Sequence, residues 1–487
     1  MPKYIPVEVF CNGGIVSPGD LRKIVMTAQH LGAQYIQLGS RQQIRFEINE
    51  AYLNDLNVRF HNISHQYNAG NVVSYNIVTS GIVKDILSTR VWLSEGYYRE
   101  LLNNFDYQPK IPINIVDPEQ SAIPLFTGIL NFIASSSEDY WNIYFSLPQH
   151  KQFGWLPVMI HSDKIPDFSL YVEKFIQSQT TVTVSELMTD VYELDSWNFK
   201  KTDTFPRVPD YHYFPQEGVH ITGDKFWLGV FNTKNTFSIS LIDAICVEAL
   251  ESNVGAIYIS PWDSLLLKNI PVARLPLWEH LLGMYDINTG HASHELCWNI
   301  SEWDINSTLL RAFVNDYFRS KDKRTEGLIL GVNNEPNDIF YSIKIVEEGL
   351  FTLFGRKFFP VYHIRYKENF NPNEPEDKSF MDYVQKKNLP EFISYLTEEY
   401  FSKQKALRKK VTPVVAPKPV LKHDATIGQV YQCSSCLTIY DPEYGDPDEG
   451  IVPGTYFNDL LPNYCCPVCS NSKKGFNLFI GQFLKND

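Results

Sequence analysis

Four cysteines near the C-terminal end fall as Cys433-x-x-Cys436 and Cys466-x-x-Cys469, with 29 residues between the pairs. Two such knuckles facing one another can place four thiolates at the corners of a tetrahedron, a donor set that selects zinc or iron. Spacing alone leaves both metals open, because zinc ribbons usually separate their pairs by ~15–20 residues and this interval is longer. A fifth cysteine, Cys465, adjoins the second knuckle and is expected to pack rather than to bind metal.

The intervening segment must hold the knuckles together. It is rich in turn formers, Tyr440-Asp441-Pro442, Gly445-Asp446-Pro447-Asp448 and Pro453-Gly454-Thr455. Tyr431, Phe457, Tyr464 and Phe476 can wrap an aromatic core around the metal.

At these residues, Cys433 to Phe476, the chain resembles a rubredoxin. The DP-x-x-GDPD run, the PGT turn, the F-x-DL segment and the CPVC knuckle carry the likeness, with 33 residues from the first to the third ligand. The resemblance implies one iron held by Cys433, Cys436, Cys466 and Cys469 and cycling between Fe(III) and Fe(II). An iron with four thiolates has no open position for substrate, so it passes electrons. Two positions depart from the family pattern. Leu437 and Ser470 stand where glycine usually follows each knuckle. A positive φ there would cost ~1–3 kcal/mol in a residue with a side chain, and both side chains alter solvent access to the metal. Six acids (Asp441, Glu443, Asp446, Asp448, Glu449 and Asp459) and no Lys or Arg lie between Cys433 and Cys469. Such a face can steer towards a basic patch on a redox partner or serve solubility.

The rest of the chain sets the context. With 487 residues there is room for about three domains. A net charge of −13 argues against nucleic-acid binding. The start MPKYIPVEVF lacks the features of an export signal, and no apolar run is long enough to span a bilayer. Paired C-x-x-C motifs then point to metal ligands in a reducing compartment, and the expected location is the cytoplasm.

The body reads as a duplication. Ser17 caps a helix with Pro18 at its first position, and Leu21, Ile24, Val25, Ala28 and Leu31 follow helical spacing up to Gly32. Strand 35–38, the turn 39–43 and strand 44–48 follow. About 220 residues later the order recurs: a cap at Ser240, a helix to about Ser252, strand 256–259, the turn 260–264 and strand 265–267. Each copy precedes a longer α+β stretch, so the expected fold class is α+β in two halves.

These segments, QYIQLGSRQQIRFEI in the first copy and SNVGAIYISPW in the second, resemble the ferredoxin-like half-domains of sulfite and nitrite reductases. PKIPINIVDP and EGLILGVNNE resemble strands of their sirohaem-type domains. The resemblance implies a first half at 1–215 (ferredoxin-like 5–60, sirohaem-type 72–200) and a second at 216–402 (225–275 and 296–400). A basic, Pro-rich linker at 403–427 and a rubredoxin domain at 428–487 complete the expected order. It also implies that Arg41, and with it Arg45, faces an anion or a tetrapyrrole, for which a guanidinium fork is suited. The reductases hold a [4Fe–4S] cluster on two cysteine pairs in the second half. Here the body offers Cys11, Cys246 and Cys297, too few for such a site. Two histidine pairs, His61/His65 and His291/His294 with Glu295 nearby, have spacings a helix could use for metal. No catalytic triad or dinucleotide fingerprint is evident.

The expected function is therefore iron-based electron transfer serving a nitrite or sulfite reductase system in nitrogen assimilation. The body would act as docking scaffold, and the partner would be that reductase or its flavoprotein reductase. An electron carrier is favoured over a complete oxidoreductase. The alternatives are a sirohaem-dependent reductase fed by its own rubredoxin, and a structural zinc-ribbon or regulatory protein.

Overall fold

The computed structural model describes residues 3–61, 63, 65–70, 74–86, 92–119, 127–147, 152–179, 182–193, 197–202, 217–232, 234–289, 297–300, 305–323, 325–332, 341–353, 356–372, 374, 376–411, 430–442, 444–446, 449, 451–479. Two compact units divide it, one holding Met1–Val219 and Trp227–Arg408, the other His220–Phe226 and Lys409–Asp487. The first is the α+β body, and the second contains the cysteine knuckles.

Within the body the duplication is visible strand by strand. In the first half, Val78–Thr79, Ile113–Val116 and Leu130–Ala134 run parallel, then Tyr140–Leu147 and Gln152–His161 continue antiparallel. The second half repeats this order with Cys297–Ile300, Ile329–Val332 and Ile343–Leu353, followed by Arg356–Lys367 and Asp377–Val384. Helix Glu95–Asn103 makes the first parallel crossover and helix Ile305–Ser320 its counterpart. Both Ile113–Val116 and Ile329–Val332 are buried at every position, as expected of parallel strands covered on both faces. These are the strands anticipated in PKIPINIVDP and EGLILGVNNE. Trp141, Phe132, Phe145 and Phe168 fill the first core; Val314, Phe318, Leu330 and Ile364 fill the second.

The ferredoxin-like units are less separate than their sequences suggest. Strands Tyr35–Leu38, Gln43–Asn49, Tyr4–Phe10 and Tyr67–Ala69 lie side by side. The edge beside Tyr35–Leu38 is completed by Phe237–Ser238 of the second half. Reciprocally, Ile15–Val16 of the first half pairs with Ile257–Ile259 of the second. Each borrowed pair immediately precedes a helix, Pro18–His30 or Ile239–Glu251, and buries one apolar side chain, Val16 or Phe237. Gly14 lets the chain cross: its φ is +74°, and a Cβ there would sit 2.8 Å from the carbonyl oxygen of Ile259.

Both helices begin on a serine. Ser17 Oγ accepts from Asp20 N at 3.0 Å, with Pro18 at the first position as expected. In the second copy the cap is Ser238, which accepts from Leu241 N at 3.2 Å, rather than Ser240. Two more apolar residues, Ile239 and Leu241, are thereby buried in the first turn. At the far end, the basic cluster expected to open an extended linker at 403 continues helix Leu389–Val411. Lys, Arg, Gln and Ala are strong helix formers, and proline first interrupts them at 413. The Pro-rich remainder of that linker lies outside the described residues. Among the described residues no helix is long and apolar enough to cross a membrane.

Candidate metal centre

In the C-terminal unit, strand Val430–Cys433 pairs antiparallel with Phe476–Phe479 on one side and Ile439–Tyr440 on the other. Tyr431 stacks on Phe457 with centroids 4.1 Å apart, and Phe457 also meets Tyr440, Tyr464 and Phe476. The four aromatics singled out in the sequence thus make the floor beneath the cysteines. Tyr464 donates its hydroxyl to Asp446 Oδ2 at 2.9 Å, and Tyr440 to the carbonyl of Thr455 at 2.8 Å. Asp446 is consequently buried and does not belong to an acidic face. Glu443 and Asp448 lie outside the described residues.

The two knuckles are near copies of one another. Cys433 N donates to Thr438 O at 2.8 Å and Leu437 N to Cys433 O at 2.9 Å; Cys466 N donates to Asn471 O at 2.7 Å and Ser470 N to Cys466 O at 2.8 Å. Closing each loop demands a left-handed residue, and Leu437 and Ser470 take φ of 62° and 57°. The sequence raised this strain as a condition; the structure realises it at both positions.

All four sulfurs lie within 4.8 Å of one another, with Cys433 Sγ 3.5 Å from Cys469 Sγ and Cys436 Sγ 3.4 Å from Cys466 Sγ. These separations are far beyond a disulfide's ~2.05 Å. They suit a tetrahedron, whose edges at a metal–sulfur distance of about 2.3 Å are roughly 3.8 Å. Among the described residues this is the one group of three or more Cys, His, Asp and Glu so arranged. Burial pushes the Cys433 thiol up, but N–H groups of Cys436 and Ser435 and the Asn471 amide outweigh it and bring it down to about 7. Cys466 and Cys469 are pushed up, chiefly by burial. A cation bound among the sulfurs would offset the crowding of four thiolates. Cys465 is exposed, its Sγ 3.5 Å from the carbonyl of Asn463, so it neither packs nor joins the sulfurs. The neighbouring Tyr464 takes the core position in its place.

A model of the rubredoxin family matches residues 430–476. This segment is a rubredoxin domain. Its ligand set, closed tetrahedral geometry and donor-lined sulfurs fit one iron, with Cys433, Cys436, Cys466 and Cys469 to hold it. The high molecular weight rubredoxin of Moorella thermoacetica is 38% identical over 74 residues, 14% of this chain and 32% of that protein. The anaerobic nitric oxide reductase flavorubredoxin of Salmonella arizonae is 43% identical over 54 residues, 11% of each chain. The likeness therefore spans a third or less of these relatives. A solved structure of the Mycobacterium tuberculosis NirA protein superposes with a TM-score of 0.59 at 13% identity, covering 85% of this chain and 82% of that one. The fold of NirA thus extends over most of the chain, together with the C-terminal rubredoxin module.

Outside the rubredoxin domain, the two sequence-selected arginines hold the body together. Arg41 donates from Nη2 to the carbonyls of Asn76 (3.0 Å) and Ile113 (2.8 Å) and from Nε to Asn76 (3.2 Å), with Thr127 O and Asn114 Oδ1 also in reach. Burial brings this guanidinium down to about 10. Arg45 pairs with Glu8, its antiparallel neighbour, through Nε at 2.8 Å and Nη2 at 2.5 Å. Both forks face protein oxygens: Arg41, in the turn 39–43, meets carbonyls of Asn76 and of strand Ile113–Val116, and Arg45, on strand Gln43–Asn49, meets the carboxylate of its cross-strand partner. The structure adds Gln42, which bonds both the N–H and the C=O of Thr79, and Asn76, which caps the carbonyls of Cys11, Arg41 and Gln42.

The duplicate turn carries Trp262 and Asp263 where the first has Arg41 and Gln42. The match shows in the φ of Gln42 (60°) and Asp263 (58°) and in the closing bonds Gly39 N→Gln43 O and Ser260 N→Ser264 O. Asp263 accepts from Arg311 Nη1 at 3.1 Å and from Asn235 Nδ2 at 3.0 Å. Lys268, another buried cation, donates to Lys84 O at 2.8 Å, lies 3.4 Å from Glu95 Oε2 and stands over the Tyr258 ring. No sequence spacing announces these partners.

Cys11 and Cys246 are buried thiols, each pushed up to about 12 by burial. Cys297 opens strand Cys297–Ile300. His61 ends helix Leu53–His61, so His65 falls beyond it and the pair lacks the helical spacing a metal site would use. His291, His294 and Glu295 lie outside the described residues.

Proposed function

We propose that this protein is a one-electron carrier whose rubredoxin domain exchanges electrons with a nitrite or sulfite reductase system, the body serving as the docking scaffold. The observation that carries this reading is the closed set of four sulfurs. Bound iron would supply the one-electron couple, and every coordinating position is taken by the chain, so substrate has no place at the metal. The residues around the sulfurs keep the ligand cage nearly fixed as charge changes, which favours rapid exchange. The partner would be the reductase itself or the flavoprotein that feeds it, in the cytoplasm and in the service of nitrogen assimilation.

The body supports a scaffold role because the arginines considered for an anion or tetrapyrrole, Arg41 and Arg45, are occupied by the chain's own oxygens. Purification of the full chain from iron-replete cells that make sirohaem tests the reading. The expected product holds one iron per chain, is coloured, bleaches on uptake of one electron and shows no tetrapyrrole band. Colourless protein with stoichiometric zinc would overturn the carrier, and a sirohaem band would overturn the scaffold.

A further inference from the structure

Two side chains occupy the same place in the two knuckles and point at sulfur. Thr438 is the fifth residue after Cys433's position counted from that ligand, and Asn471 stands likewise after Cys466. Both use their backbone in the same way, accepting from the N–H of the first cysteine of their own knuckle. Their side chains then diverge. The Thr438 hydroxyl lies 3.1 Å from Cys436 Sγ, within its own knuckle. The Asn471 amide reaches across to the other knuckle, with Nδ2 3.6 Å from Cys433 Sγ and 3.0 Å from Ser435 Oγ. A metal-bound thiolate has no proton to give, so in both contacts it is the hydroxyl or the amide that donates.

Asn471 is held in this pose. Gly475 packs against the face of its amide so closely that a Cβ there would fall 2.1 Å from Nδ2. The carbonyl of Gly475 is itself fixed by Ser434, through N at 2.8 Å and Oγ at 2.7 Å. A side chain at 475 would displace the amide while leaving all four ligands in place.

We infer that Thr438 and Asn471 are positioning residues that raise the reduction potential of the bound iron, each through a side-chain hydrogen bond to one thiolate. When Fe(III) takes one electron from a protein donor, the iron and its four thiolates go from one net negative charge to two. No bond breaks and no proton moves. The added charge spreads onto sulfur, so donors aimed there stabilise the reduced form more than the oxidised one. Two such donors, one from each knuckle but both aimed at thiolates of the first, add to the backbone N–H groups already directed at the sulfurs.

This inference rests on the site holding iron as an electron carrier, and the test separates the two. Full-length protein and the variants Thr438→Val, Asn471→Leu, their combination and Gly475→Ala are loaded with iron and titrated by spectroelectrochemistry. Each substitution is expected to lower the potential. The double variant should shift the redox equilibrium about tenfold towards the oxidised form, equivalent to 59 mV for one electron. Thr438→Ser, which keeps the hydroxyl, should hold the parent value. Gly475→Ala should act like Asn471→Leu and add nothing to it, since both remove the same bond. The sulfur-to-iron charge-transfer band should move to lower energy in step. Potentials within twofold of the parent equilibrium, an upward shift, or additive effects of Gly475→Ala and Asn471→Leu in intact iron-loaded protein would overturn the inference. Parent protein that takes no iron would instead overturn the carrier reading.

Discussion

The rubredoxin domain and the body put polar groups to opposite use. Around Cys433, Cys436, Cys466 and Cys469, N–H groups, a hydroxyl and an amide converge on sulfurs that face one another across a gap suited to a metal. In the body, Arg41 meets carbonyls, Arg45 meets Glu8, Arg311 meets Asp263 and Lys268 meets Glu95 and Lys84 O. Donors aimed at a point between ligands suggest a site, whereas donors satisfied by the chain's own oxygens suggest a strut.

The sharpest way to break this comparison is at the ligands. Cys466→Ser should abolish iron binding at the sulfur site and remove the visible colour, while the body keeps its far-UV circular dichroism. Retained colour at full iron occupancy would place the metal elsewhere. Next in size is Arg41→Met, which leaves the carbonyls of Asn76 and Ile113 without their donor. At about 1–3 kcal/mol for each buried group left unsatisfied, denaturant titration should show a loss of roughly 3 kcal/mol or more, with the iron spectrum unchanged. A stable variant with altered anion or tetrapyrrole binding would show Arg41 to be a site residue instead.

A smaller effect should appear at Asp263, whose carboxyl is raised by burial, with Arg311 pulling the other way. A raised folded-state value means the native chain binds the proton more readily than the unfolded chain. The contribution to stability is then full below the ordinary carboxyl range and declines as pH rises through the raised one. Relative to Asp263→Asn, the wild-type protein should therefore lose stability with increasing pH across that window. Wild-type stability that instead rises with pH relative to Asp263→Asn would show that the Arg311 pairing outweighs burial. The smallest effect concerns the duplicated caps: Ser17→Ala and Ser238→Ala should each cost about 1 kcal/mol, measured by chemical denaturation. Loss at Ser240 but not at Ser238 would move the second cap back to its sequence-expected place.

Much of the fold was legible because its signals are local. The Ser17 cap, the spacing of Leu21, Ile24, Val25, Ala28 and Leu31, and the strand at 35–38 appear where the pattern puts them. So do the aromatic floor and the left-handed positions at 437 and 470. The second cap falls at Ser238 rather than Ser240 because the two serines offer the same chemistry two residues apart and only burial of Ile239 and Leu241 separates them. The helical course through 411 is obscured for a different reason: the run of Lys and Arg that continues the helix adjoins the prolines that begin at 413.

The sequence alone was enough to bring out the four clustered cysteines, the two knuckles that carry them and the repeated order of helices and strands, since each signal lies within a few positions of chain. Tertiary structure decided which half completes which sheet, because Ile15–Val16 and Phe237–Ser238 are too short to carry a pairing pattern. It likewise decided that Arg41 faces carbonyls and that Asn471 reaches the sulfur of the opposite knuckle. A side chain's type and spacing state what it can bind, but its partner is set by segments brought together only when the chain has folded.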